Sequence, residues 1–176
     1  RPSSVDSRTG RNSGDNIGLA QPVIHVHEHR GKTLTADLLL KGGGCENVSG
    51  QLALPDVSMG AGRDLDGVRK AVLKLVQTAQ GKGCAPGVLG VCIGGDRVTG
   101  FDVAKRQLLR ALGDHSPEPA LAKLERRIFR ETNRLGIGPM GFGGKTTVLG
   151  VNVACAHRLP ASFFVTVAYS CWALRK

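Results

Sequence analysis

The sequence predicts an α+β (mixed α/β) fold in a single domain, on three observations. Three stretches carry apolar residues at helical spacing, short β-branched runs are interspersed with them, and an alternating segment near the start reads as an antiparallel hairpin. With 176 residues, 41% of them hydrophobic, the chain has the length of one domain and enough apolar residues for a core.

Residues 1–20 are polar and turn-rich and read as an extended loop. In PVIHVHE (22–28), Val23, His25 and His27 alternate with Ile24, Val26 and Glu28, and TLTADLLLKGGG follows the turn HRGK; the two are expected to pair as the hairpin. Leu65, Val68, Val72, Leu75, Val76 and Ala79 mark an amphipathic helix over 64–80, stopped by Gly81 and Gly83. VLGVCI, inside CAPGVLGVCIGGD, is short and apolar enough for a buried strand. A second helix is expected from about Phe101 to Leu112, with Phe101, Ala104, Leu108 and Leu112 on one face. Ser116 and Pro117 open a third, running to Leu135 with Leu121, Leu124, Ile128 and Leu135 inward. TVLGVNVACAH and ASFFVTVAYSC close the chain as β-rich segments.

The formal charge is +10, which fits a solvated basic face, a small anionic ligand or an acidic partner chain. Only 4% of residues are aromatic and no stretch interleaves them with basic residues, so nucleic acid is not an expected partner. No apolar run is long enough to span a bilayer, and no membrane role is expected. The 25 glycines cluster at 42–44, 81–95 and 136–144, where backbone would come close to a ligand. Five widely spaced cysteines point to a reducing compartment with metal or cluster ligands among them, and none forms a CxxC pair.

GIGPMGFGGKTTVLG (136–150) contains a G-x-G-x-x-G and a Gly-Lys-Thr, both phosphate-binding signals. The setting is wrong for either. Pro139 stands where a P-loop needs its first glycine, and the β-branched sequel cannot supply the helix N-terminus that receives phosphates. Lys145 and Thr146 therefore receive no catalytic role.

KGGG-x-EN (41–47), CAPGVLGVxIGGD (84–96), LGIGPMGFGGKTTVLGV (135–151) and PASFFVxVxYxCWA (160–173) together closely resemble the α-region of the iron–sulfur (class I) fumarate hydratases and the related L-tartrate dehydratases. The resemblance covers nearly the whole chain. It implies a [4Fe–4S] cluster with Cys84 and Cys171 as two of three cysteine ligands, the third lying upstream of Arg1. The open iron would bind the substrate carboxylate and hydroxyl as a Lewis acid. It further implies that Arg1 grips a dicarboxylate through its planar fork and that Gly44 offers backbone to the same ligand. Residues 1–176 would then be the C-terminal portion of the α-region of a cytoplasmic tricarboxylic acid cycle hydro-lyase. Activity would require the upstream segment and a β-subunit, in a dimer of heterodimers, so the isolated chain is expected to be inactive.

Three departures bear on this reading. The family's Cys-Gln-Asp would lie upstream of Arg1. Leu159 stands where the family carries an active-site His, with His157 two residues away and, on a strand, on the same face; whether it substitutes is open, and no catalytic residue is assigned. The β-region residues are not in this chain. A non-catalytic interaction subunit and a tartrate dehydratase are the alternatives. Cys92 and Cys155 are expected in the core, while Cys45, where the family usually has Ser, is undecided.

Overall fold

A computed structural model describes residues 4–28 and 30–174. They fall into two units, Arg1–Ala36 and Asp37–Lys176, and all the regular helices and strands lie in the second. That unit is the predicted α+β domain. A mixed sheet of four strands, β1 (Gly50–Ala53), β2 (Gly87–Gly94), β3 (Val148–Ala156) and β4 (Phe164–Ser170), has the order β1-β4-β2-β3. β4 is antiparallel to both neighbours, and β2 and β3 run parallel. The helices are α1 (Gly43–Asn47), α2 (Leu65–Ala79), α3 (Arg97–Gln107) and α4 (Pro119–Arg134).

Every residue of β2 is buried, because the strand has helices on both faces. Leu89, Val91 and Ile93 join Val68, Val72 and Val76 of α2 and Leu124 and Ile128 of α4 in one core. Val88 and Cys92 point the other way, to Ala104, Leu108 and Ala168. Gly90 brings α3 close on that second face: a Cβ there would collide with the carbonyl oxygen of Ala104.

Side-chain caps set the helix starts. Asp64 accepts a hydrogen bond from the Gly67 amide at 2.7 Å and opens α2. Asp96 accepts from Val98 and Thr99 at 2.9 and 2.7 Å, so α3 begins at Arg97, four residues before the expected Phe101. α4 starts with Pro119 at its first position, where a missing N–H costs nothing. A buried carboxylate ties α4 to the sheet: Glu125 accepts from the Val153 amide (2.8 Å), the Ser116 amide (2.9 Å) and the Arg110 guanidinium (2.9 Å).

Several expectations are corrected. The hairpin does not form: residues 23–28 and 34–42 carry no strand. Val23, Ile24, Val26, Leu34, Leu38 and Leu40 are all exposed, so neither face of the alternating pattern has a layer to pack on, and an uncovered two-stranded ribbon is marginal in water. KGGGCEN forms the short helix α1 instead of a strand end. Among its described residues the first unit, taken by itself, carries isolated bridges at Val5–Asn12 and Gly18–Gln21, with Asp6 accepting from the Arg8 amide and guanidinium. Leu65, Leu112 and Leu135, expected inward, are partly or largely exposed at helix margins. Cys92 is buried as expected, but Cys155 is exposed. It shares a strand face with Val151 and Val153, yet lies past the start of α4 and opens onto a groove lined by Leu65, Pro117 and Glu118. Among the described residues no helix is long and apolar enough to cross a membrane.

Candidate functional site

The antiparallel pairing of β2 with β4 decides where the cysteines go. Val88, near the start of β2, pairs with Ser170, the last residue of β4. Cys84 precedes β2 by three residues and Cys171 directly follows β4, so 87 residues of separation collapse to one end of the sheet. Cys45 arrives at the same place on α1. Its thiol donates to the Gly83 carbonyl at 3.3 Å. Burial, then the neighbouring Cys171, push the Cys45 thiol up to about 11.

Two devices hold α1 there. The Ser49 hydroxyl donates to the Cys45 carbonyl at 2.9 Å and accepts from the Tyr169 amide at 3.0 Å, clamping the helix to β4. Lys41, almost wholly buried, bonds Glu46 at 2.6 Å and Ser49 at 3.1 Å, and Lys105 adds a second ion pair to Glu46 at 2.9 Å. Desolvation pulls the Glu46 pKa upward, but the hydrogen bonds and charges of Lys41 and Lys105 outweigh it and hold the carboxyl below its usual range.

Glycine shapes the Cys84 loop. Gly83 packs on Tyr169 and Val48 so tightly that a Cβ would lie 2.5 Å from the tyrosine ring. Cys84 itself has φ +56°, a left-handed conformation costly for a residue with a side chain and the kind of strain that collects at functional sites. Against this loop lies 138–144: the Met140 amide donates to the Ala85 carbonyl at 2.9 Å, and a Cβ on Gly81 would meet the Met140 carbonyl. Asn133 of α4 anchors the loop's exit by accepting from the Thr147 and Val148 amides at 2.7 and 2.9 Å. The Thr147 hydroxyl accepts from Gly138 at 3.2 Å, while Lys145 and Thr146 are exposed. The loop is a backbone wall around Cys84.

Tyr169 is the residue that sequence reasoning missed. It is 1% exposed, and its hydroxyl has no hydrogen-bond partner among the described residues. Burial, then the surrounding Cys45, Cys171 and Cys84, push its pKa well above the tyrosine range. Only its place in Y-x-C-W hinted at a role.

The predicted site residues divide as follows. Cys84 and Cys171 are brought together, each partly exposed. Gly44 is exposed in the first turn of α1, with the Lys82 carbonyl 3.4 Å from where a Cβ would sit, so it borders the Cys84 loop. Arg1 lies outside the described residues. His157 is not with the cysteines. β3 ends at Ala156, so the strand argument that put His157 and Leu159 on one face does not apply. Both are exposed beyond the other end of the sheet, in an open groove of about 710 Å³ with Asp96, Arg97, Arg158 and Phe164. The seven residues of β4 alone separate the two ends by about 20 Å.

Cysteine sulfurs suit iron–sulfur ligation, and the buried Tyr169 hydroxyl beside them is left without a hydrogen-bond partner among the described residues. Among the described residues, no group of three or more His, Cys, Asp or Glu side chains is arranged to hold a metal ion.

The family model described as "Fumarate hydratase (Fumerase)" matches residues 1–176. The chain is 54% identical over 179 aligned residues to the "Putative fumarate hydratase class I" of Geobacillus stearothermophilus, covering 100% of this chain and 35% of that protein. It is 35% identical to the "Putative L(+)-tartrate dehydratase subunit alpha" of Methanocaldococcus jannaschii, covering 100% of this chain and 61% of the relative. With the L(+)-tartrate dehydratase subunit alpha of Escherichia coli K12 the identity is 34%, over 96% of this chain and 53% of the relative. The chain thus spans between about a third and three-fifths of the length of these relatives.

Proposed function

The chain belongs to the fumarate hydratase family, and we propose that it is the part of an iron–sulfur hydro-lyase that supplies two of the cluster's cysteine ligands, Cys84 and Cys171. The observation that carries this reading is the β2–β4 register, which gathers those two thiols and a strained, glycine-walled loop at one sheet end. Bound there, a [4Fe–4S] cluster would supply a Lewis-acidic iron to a substrate hydroxyl and carboxylate. The reaction is the reversible hydration of fumarate to L-malate. The higher identity to the class I fumarate hydratase, against 35% and 34% for the tartrate dehydratase subunits, favours fumarate over tartrate.

The chain's own residues do the holding. Gly44, without a side chain, leaves the α1 backbone open to a dicarboxylate beside the cysteines, and Arg1 would add a bidentate grip on one carboxylate. The Lys41–Glu46 pair and Ser49 keep α1 at that distance from the sheet. The third thiolate comes from the part of the protein upstream of Arg1, and further substrate-binding groups from a β-subunit, so the 176-residue chain alone is inactive. The "subunit alpha" of the tartrate dehydratase relatives supports such a partner. So do Met140, Phe142 and Trp172, exposed apolar side chains on the loops flanking the cysteine end. We place the enzyme, a dimer of heterodimers, in the reducing cytoplasm and in the tricarboxylic acid cycle.

The test uses the complete enzyme. Cys84→Ser and Cys171→Ser should each abolish cluster assembly, read as iron content and visible absorption, together with malate formation. Retention of about four irons per heterodimer in either variant overturns the assignment. Full iron and no hydration would leave the non-catalytic subunit as the better description.

A further inference from the structure

Away from the cysteines, helix α4 has two unlike sides. Leu121, Leu124, Glu125, Ile128 and Thr132 are buried on one of them. On the other, Lys123, Arg126, Arg130 and Arg134 recur at spacings of three and four residues, all exposed. At 3.6 residues per turn they fall within about 80° of arc and form a ridge about 16 Å long. Among the described residues none of the four has an ion pair. We propose that this ridge is a docking surface for an acidic face of another polypeptide, one whose carboxylates recur at helical spacing. The nearby carboxylates are already occupied. Glu131 gives one oxygen to Arg69 at 2.6 Å and the other to Arg127 at 2.9 Å. Asp66 is shared by Arg69, Lys70 and Arg127. Glu125 is buried and held by Arg110 and two amides. The ridge is thus left to anions from outside the chain, whose own formal charge is +10.

Helix stability does not account for the ridge. Like charges four residues apart weaken a helix, and Arg126–Arg130 and Arg130–Arg134 are two such pairs. The helix dipole favours Arg134 in the last turn, but its effect does not reach Lys123 or Arg126. The surroundings of the ridge select the kind of anion. Phe129, three residues beyond Arg126 and so beside it, is 38% exposed, and Leu135 at the helix end is 37% exposed. An exposed aromatic next to arginines is the composition of a protein–protein contact. Three of the four cations are Arg, whose planar fork takes a carboxylate through two parallel hydrogen bonds. Phe129 is the single aromatic residue of α4, so the helix has no stacking platform for nucleic-acid bases. Its apolar side is committed to the core, so it cannot enter a lipid surface as a free amphipathic helix does.

The experiment uses the full chain and three probes: a stapled helical peptide of about 16 residues with Glu at every fourth position, a DNA duplex of similar length, and phosphatidylserine-containing vesicles. The peptide should bind at low ionic strength and weaken as salt is added. Combining Arg126→Ala, Arg130→Ala and Arg134→Ala should weaken it by about tenfold, as expected for three exposed ion pairs. An equal loss of charge elsewhere, through Arg11→Ala, Lys32→Ala and Lys145→Ala, should leave most of the binding in place. No peptide binding, equal weakening by the two triple variants, or tighter binding to the duplex or the vesicles overturns the proposal. A stability measurement checks the same point without a probe. Arg130→Gln relieves two like-charge contacts, so the thermal midpoint should hold or rise. A fall of several degrees would give Arg130 a structural role within the chain and overturn the assignment.

Discussion

The two ends of the sheet carry different chemistry. At the end where β2 begins and β4 finishes, three thiols, a buried tyrosine and two glycine loops converge, and α1 is clamped in place. At the other end lie His157, Arg158 and Arg97 in an open groove, with the guanidiniums of Arg97 and Arg158 each 4.7 Å from the ring centroids of Phe164 and Phe163. The first end is walled by backbone and short of hydrogen-bond partners, and the second is solvated and self-satisfied. Sequence proximity is misleading here. His157 is closer in sequence to Cys171 than Cys84 is, but the strand between them carries it away.

The sharpest way to break this contrast is to exchange insults between the ends. Cys171→Ser in the complete enzyme should remove iron and reduce hydration by at least about a thousandfold, in line with the loss of a metal's Lewis-acid role. His157→Ala should leave the iron content unchanged, as measured by the same assay. Equal iron loss in both would mean that the ends communicate in a way the strand geometry does not allow.

The next effect concerns stability on the α4 face. Glu125→Ala strips Arg110 of a buried partner and leaves the Val153 and Ser116 amides without an acceptor, so it should cost about 3 kcal/mol in chemical denaturation. On the opposite face, Gly90→Ala drives a methyl into the Ala104 carbonyl and should cost about 2 kcal/mol through overpacking, read as a lower midpoint with an unchanged denaturant slope.

The smallest effect is pH-dependent and confined to the cysteine end. Glu46 has a depressed pKa in the folded chain, so its contribution is complete above the ordinary carboxylate range and is lost as pH falls through the depressed value. Hydrogen-exchange protection factors in residues 41–49, corrected for the intrinsic pH dependence of amide exchange, should fall on acidification, and Glu46→Gln should flatten that dependence. A profile that Glu46→Gln leaves unaltered would assign the α1 clamp to Ser49 alone.

Much of the fold was legible. β2, β3, β4, α2 and α4 follow from periodicity, and the departures are mainly at ends, where caps decide: Asp96 starts α3 early because its carboxylate reaches two amides. The failed hairpin had the right alternation but no layer to cover it, a tertiary condition that a local pattern cannot contain. Cys155 was misread for a related reason, since strand alternation reports a face and not whether a helix extends far enough to cover it.

The site was legible in part. Motif order singled out Cys84, Cys171 and Gly44, and Pro139 was enough to remove the nucleotide reading of the glycine loop. Cys45, Tyr169 and the Lys41–Glu46 clamp were not assigned, because their significance lies in who their neighbours are. By itself the sequence determined the fold class and the family, since these are written in periodicity and long motifs. Only the tertiary structure decided that β4 runs antiparallel to β2, which joins Cys84 and Cys171 and sends His157 to the far end; strand direction and register are set by which faces find a core, a property of the whole chain and of no segment within it.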